Sequence, residues 1–102
     1  MTDTNEIRLD EGDSKGRYFV TGSDGATAEM TFSKVGLHQL IIDHTEVPDA
    51  FRGQGVGLML VTRAVEDARR AGKTIIPLCP FAAAQFRRHP EWADVLKRQS
   101  QA

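Results

Sequence analysis

The sequence predicts an α+β domain in which short antiparallel strands precede a single βαβ unit. Three observations carry that reading. The first third is cut by glycine-rich turns into β-prone runs, its middle shows one clear helical period, and that helical stretch lies between two apolar extended segments. At 102 residues the chain supports one small core and not two. We therefore expect a single domain over residues 6–97, with frayed ends at 1–5 and 98–102.

The turns come first. Gly12-Asp13-Ser14-Lys15-Gly16 and Gly22-Ser23-Asp24-Gly25 flank the β-prone runs. Arg17 to Thr21 is aromatic and β-branched, while Ala26 to Ser33 alternates with period two and turns Met30 and Phe32 inward. Residues 38–47 follow Gly36, and Leu40-Ile41-Ile42 is apolar on both faces, as a central strand requires. Pro48-Asp49 ends it. From Gly55 to Ala71 the period becomes helical, with Val56, Leu60, Ala64, Ala68 and Ala71 on one stripe and Arg63, Glu66, Asp67 and Arg70 opposite.

Gly72 caps that helix, and residues 74–79 form the second extended run. A strand–helix–strand of this length pairs its strands in parallel, so both strands end on the same edge of the sheet. Pro77 marks a sheet edge or a lapse in pairing. Pro80 suits the first position of a short helix that His89-Pro90 stops, and residues 91–97 should add another turn or two that buries Trp92, Val95 and Leu96.

Composition narrows the partners. There are 13 Lys+Arg against 14 Asp+Glu, a formal charge of −1, which gives no broad field for nucleic acid or anionic lipid. A lone cysteine forms no internal disulfide, no apolar run spans a membrane, and the polar start lacks a signal peptide, so a cytoplasmic setting is expected. None of the three histidines is spaced to share a metal with another histidine or with Cys79, so no metal is expected.

Arg52-Gly53-Gln54-Gly55-Val56-Gly57 stands between the first strand of the βαβ unit and its helix. Unpaired N–H groups in a helix's first turn attract phosphate, and glycines admit it close to the backbone. The same glycines equally suit a tight turn with close helix–sheet packing. A Rossmann loop is excluded because its third glycine is replaced by Leu58. Gly72-Lys73-Thr74 is no P-loop, because it leaves a helix and the earlier glycine is Asp67.

Cys79 occupies the N-cap of the second helix, where the helix end favours a reactive thiolate, although a small buried hydrophobe is the commoner fate of such a residue. His44, near the end of the neighbouring strand, is a candidate base for Cys79 or for an incoming amine, or else an edge residue satisfied by hydrogen bonds.

Arg52 to Gly57 has the form Arg/Gln-x-x-Gly-x-Gly/Ala and resembles the coenzyme A pyrophosphate loop of the Gcn5-related N-acetyltransferases (GNAT superfamily). With His44-Thr45-Glu46-Val47 before it and Ile75-Ile76-Pro77-Leu78-Cys79-Pro80-Phe81 after it, the chain is similar to the minimal single-domain branch of that superfamily. The resemblance implies a GNAT-like mixed, mostly antiparallel sheet without the usual N-terminal helix pair, and an acetyl-CoA cosubstrate held between two splaying parallel strands. It implies coenzyme A contacts at Val47, Arg52, Gly53, Gln54, Gly55, Val56, Gly57 and Phe81, with Cys79 beside the thioester.

Phe81 and Phe86 stand where larger members carry a catalytic tyrosine; the only tyrosine is Tyr18. The implied activity is acetyl transfer to an amine, on a small molecule or a protein, with Cys79 and His44 as candidate catalytic residues. A non-catalytic coenzyme A binding module is the alternative, and a cysteine hydrolase leaves the glycine loop unexplained. A monomer or weak dimer is expected.

Overall fold

Alternation in the third strand shows how the sheet is built. In the computed structural model, which describes residues 6–22 and 24–97, Ala28, Met30 and Phe32 point into the core from one face while the residues between them point out. The termini expected to be frayed lie outside the described residues. Strands β1 (Arg8–Glu11), β2 (Lys15–Thr21), β3 (Thr27–Val35) and β4 (Gln39–Glu46) form an antiparallel meander. Strand β5 (Thr74–Pro77) then pairs in parallel with β4, giving the order β1-β2-β3-β4-β5.

Helix α1 (Val56–Ala71) is the crossover between β4 and β5. It buries Val56, Leu60, Val61, Ala64, Val65 and Ala68 against the core face of the sheet. Ala71, expected on that stripe, is exposed, because the helix runs past the edge of the core in its last turn. There Gly72 takes φ +71°, while Gly72 N–H donates to Arg69 O and Lys73 N–H to Ala68 O. This is a Schellman cap, and the positive φ is why glycine stands there.

Asp67 departs from the solvated face on which the periodicity sets it. It accepts the hydroxyl of buried Tyr18 at 2.8 Å and pairs with Arg63 and Arg70, tying α1 to β2.

Helix α2 (Pro80–Arg88) begins at the proline, and Ala82 and Phe86 enter the core, the Phe86 ring meeting Trp92 edge-on. Beyond it the chain makes a 3-10 turn, Pro90–Trp92, and a further turn in which Val95 N–H donates to Trp92 O and Leu96 N–H to Ala93 O, in line with the turn or two expected. Leu96 then forms a single parallel bridge with Ile75. Ile75 N–H donates to Val95 O and Lys97 N–H to Ile75 O, so the tail covers the outer edge of β5. Arg69 holds this tail by a bidentate pair with Asp94, at 2.7 and 2.8 Å. Trp92 and Val95 are buried, as expected, and Leu96 partly so.

β1 has no apolar alternation of its own because all four residues are exposed at a sheet edge. No helix among the described residues is long and apolar enough to cross a membrane.

Candidate active site

The two strands of the βαβ unit part company at Pro77. Register between β4 and β5 ends at Ile42↔Pro77, where the N–H groups of Leu78 and Cys79 both converge on Ile42 O. β4 continues through residues 43–46 paired to β3 alone, so its other edge is open. A fork results, with α2 starting on one arm and the glycine loop on the other.

That loop is shaped by a 3-10 turn, Asp49–Phe51, whose Phe51 ring is buried. Gly53 and Gly55 follow with φ of +80° and +67°, and a Cβ at either would meet nothing within 4 Å. Their need for glycine is therefore conformational and not a matter of packing. Gly55 is the N-cap of α1 and supplies no side-chain cap, and the first helical turn holds no acidic residue. Among the described residues, the N–H groups of Gly53, Gly55, Val56, Gly57 and Leu58 donate to no backbone carbonyl. Such a row at a helix's positive end is a receptor for an anion.

The side chains of the loop differ in what they offer. Val56 is buried, so only its amide faces the site. Arg52 and Gln54 are exposed, held by Asp49 Oδ1 at 3.2 Å and by Ala50 O at 3.2 Å. Gly57 is where glycine is sterically required. A Cβ there would stand 2.7 Å from Cζ of Phe81, so the aromatic ring lies directly on the start of α1. The close approach joins α1 to α2, not helix to sheet. Val47, Leu58, Leu78 and Phe81 are partly exposed apolar residues around the fork.

Cys79 is the N-cap residue of α2, only 4% exposed, and its thiol donates to Thr45 Oγ1 at 3.3 Å. His44 does not join them. Phe32 pairs with Ile42 but Thr31 pairs with His44, so Asp43 is an unpaired bulge residue in β4. Regular alternation from Leu40 and Ile42 would turn His44 to the core face. The extra residue inverts the phase, placing Thr45 on that face and His44 on the other. The His44 side chain is 64% exposed and has Glu46 Oε1 at 3.9 Å. His44 thus stands on the sheet face opposite the Thr45 side chain that meets the sulfur.

Nothing in the sequence marks Thr45 as the partner of the Cys79 sulfur, because a bulge is defined by the partner strand and leaves no local mark. Tyr18 lies in the core, where burial and its bond to Asp67 raise its phenol above the ordinary range. It is a structural residue. Among the described residues no group of three or more His, Cys, Asp or Glu is placed to hold a metal.

Comparison with known proteins adds three findings. A family model described as GCN5-related N-acetyl-transferase matches residues 17–95. Protein NATD1 of Xenopus tropicalis is 37% identical over 68 residues, an alignment that covers 65% of this chain and 62% of that protein. A GCN5-like protein of Staphylococcus aureus, solved by NMR, matches with a TM-score of 0.73 at 32% identity, over 98% of this chain and 95% of that one.

Proposed function

The chain belongs to the GCN5-related N-acetyltransferase family, and on that premise we propose that it binds acetyl-CoA at the start of α1 and moves the acetyl group to an amine. The observation that carries this reading is the row of acceptor-free N–H groups at Gly53, Gly55, Val56, Gly57 and Leu58. A pyrophosphate satisfies several such donors at once. Arg52 is exposed and tied only to an equally exposed Asp49, a pair worth little, so its guanidinium is free to turn to phosphate. Gln54 stands beside it. Val47 and Phe81 offer apolar surface to the pantetheine arm, which would lie along the open edge of β4.

In this reading transfer is direct. The amine nitrogen attacks the thioester carbonyl carbon, the carbon–sulfur bond breaks, and the sulfur departs as coenzyme A thiolate. His44 takes the proton that the nitrogen sheds and returns one to the thiolate. The open edge of β4 supplies N–H groups for the charge that develops on the carbonyl oxygen. Cys79, buried and bonded to Thr45, acts as a wall of the fork.

Thermal unfolding with and without acetyl-CoA tests the binding step. At a hundredfold excess over its dissociation constant the ligand adds about 2.7 kcal/mol to stability, so Tm rises, while AMP does much less. An unchanged Tm at saturating acetyl-CoA would sink the reading. Saturable binding with no acetylated amine would instead identify a coenzyme A binding module.

A further inference from the structure

The sheet face that turns away from α1 carries a groove of about 530 Å³, lined by Asp10, Lys15, Arg17, Thr31, Ser33 and Asp43 among others. Register places these residues in rows that cross the sheet. One row runs Asp10↔Arg17↔Thr31↔His44, and the next runs Lys15↔Ser33↔Ile41↔Ile76. Thr31 in the groove is therefore the direct neighbour of His44 at the fork. The bulge that turns His44 outward also delivers Asp43 to this face, where it accepts Ser33 Oγ at 2.8 Å.

We propose that this groove holds the acceptor, and that the acceptor is a small zwitterion, an amino acid with its ammonium on Asp43 and its carboxylate on Lys15. The proposal rests on the transferase reading above. Three charged groups in the groove have capacity to spare, Asp43, Lys15 and Asp10, and of the two carboxylates Asp43 is the one next to His44. Asp43 receives one hydrogen bond in the structure, and a carboxylate has about four acceptor positions. Lys15 makes no ion pair among the described residues.

Arg17 is already engaged, by Glu29 at 2.7 Å and by the Phe19 ring at 4.2 Å. Lys15 and Asp43 lie on strands two apart, about 10 Å between backbones, a span that the long lysine side chain shortens. A polyamine would meet Lys15 and Arg17 with like charge, and a dianion would meet Asp43 and Asp10 the same way. A molecule of both signs leaves neither unpaired. With its nitrogen at Asp43, the acceptor presents that nitrogen to His44, the next residue of β4, and to the fork; one ammonium proton passes through His44 to solvent before attack, so that the neutral amine carries the lone pair, and the second is the one returned to the thiolate.

Each free L-amino acid and its carboxamide serve as matched probes, first alone in amide NMR spectra and then with acetyl-CoA in turnover assays. We expect the backbone amides of Thr31, Ser33 and Asp43 to shift with at least one amino acid and far less with its carboxamide. KM for the carboxamide should be at least tenfold higher. Lys15→Gln should erase that preference, and Asp43→Asn should raise KM about tenfold for both members of the pair. Both variants should keep the Tm rise with acetyl-CoA. Amine acetylation indifferent to both substitutions, with no shifts in the groove, overturns the acceptor site and leaves the donor site standing. Wild-type protein whose Tm ignores acetyl-CoA overturns the transferase reading itself, and the acceptor site with it.

Discussion

Cys79 Sγ donates to Thr45 Oγ1 at 3.3 Å across the gap where β4 and β5 have ceased to pair, while His44, one residue earlier, faces the opposite side of the sheet. The thiol is thereby buried beside a hydroxyl, with no imidazole to take its proton. A helix N-terminus alone would favour a thiolate that labels faster than a free thiol; burial works against access. We expect iodoacetamide to modify Cys79 more slowly than a free thiol at neutral pH, and more slowly still with coenzyme A bound. Cys79→Ser should keep turnover within about tenfold, and intact mass after incubation with acetyl-CoA should show no acetyl adduct. Stoichiometric acetylation of Cys79 would establish a covalent route instead.

His44→Gln should lower kcat by about a hundredfold, the low end of what general-base catalysis contributes, and leave acetyl-CoA affinity unchanged. Calorimetry beside steady-state kinetics separates the two effects. A fall in affinity with kcat intact would assign His44 to binding.

The glycines of the loop should fail in different ways. At Gly55 the φ of +67° makes Gly55→Ala cost about 1–2 kcal/mol although the added Cβ meets open space, and Gly55→Asn should recover part of it. Gly57 lies at the start of a helix where alanine is intrinsically better by about 1 kcal/mol, but its Cβ would collide with Phe81 Cζ at 2.7 Å. Gly57→Ala should therefore leave Tm nearly unchanged in wild type and raise it in Phe81→Leu. Denaturation of the wild type, the two single variants and the double variant measures this coupling, and additivity would show that the ring does not rest on Gly57 in solution.

Burial, and then the hydrogen bond to Asp67, hold the Tyr18 phenol neutral in the folded protein to higher pH than in the unfolded chain. A folded pKa raised above the unfolded value contributes stability that is complete below about pH 10 and is lost as pH rises above it. The ultraviolet absorbance of phenolate should thus appear together with alkaline unfolding and not before it. Tyr18→Phe should flatten the loss of stability above pH 10 and cost about 1 kcal/mol at neutral pH, since Asp67 keeps Arg63 and Arg70. A phenol that titrates reversibly near pH 10 in the native state would contradict this account.

Much of the molecule is local in origin and was therefore legible in the sequence. Gly72 ends α1 because its φ is positive, Pro80 begins α2 because that position needs no N–H, and the period of Val56, Leu60, Ala64 and Ala68 selects the buried face. The placement of Arg52 to Gly57 before that helix depends only on chain order. What the tertiary structure decided is which side chains meet. Alternation is a rule of one strand, but a bulge exists only relative to its neighbour, so the pairing of Thr31 with His44 could not be read from residues 39–46 alone. That single unpaired residue, Asp43, puts Thr45 against Cys79 and turns His44 to the other face. The contact of Phe81 with Gly57, the bond from Tyr18 to Asp67 and the tail laid along β5 have the same origin. Each joins segments far apart in the chain, and only the packing of the sheet and helices brings them within reach.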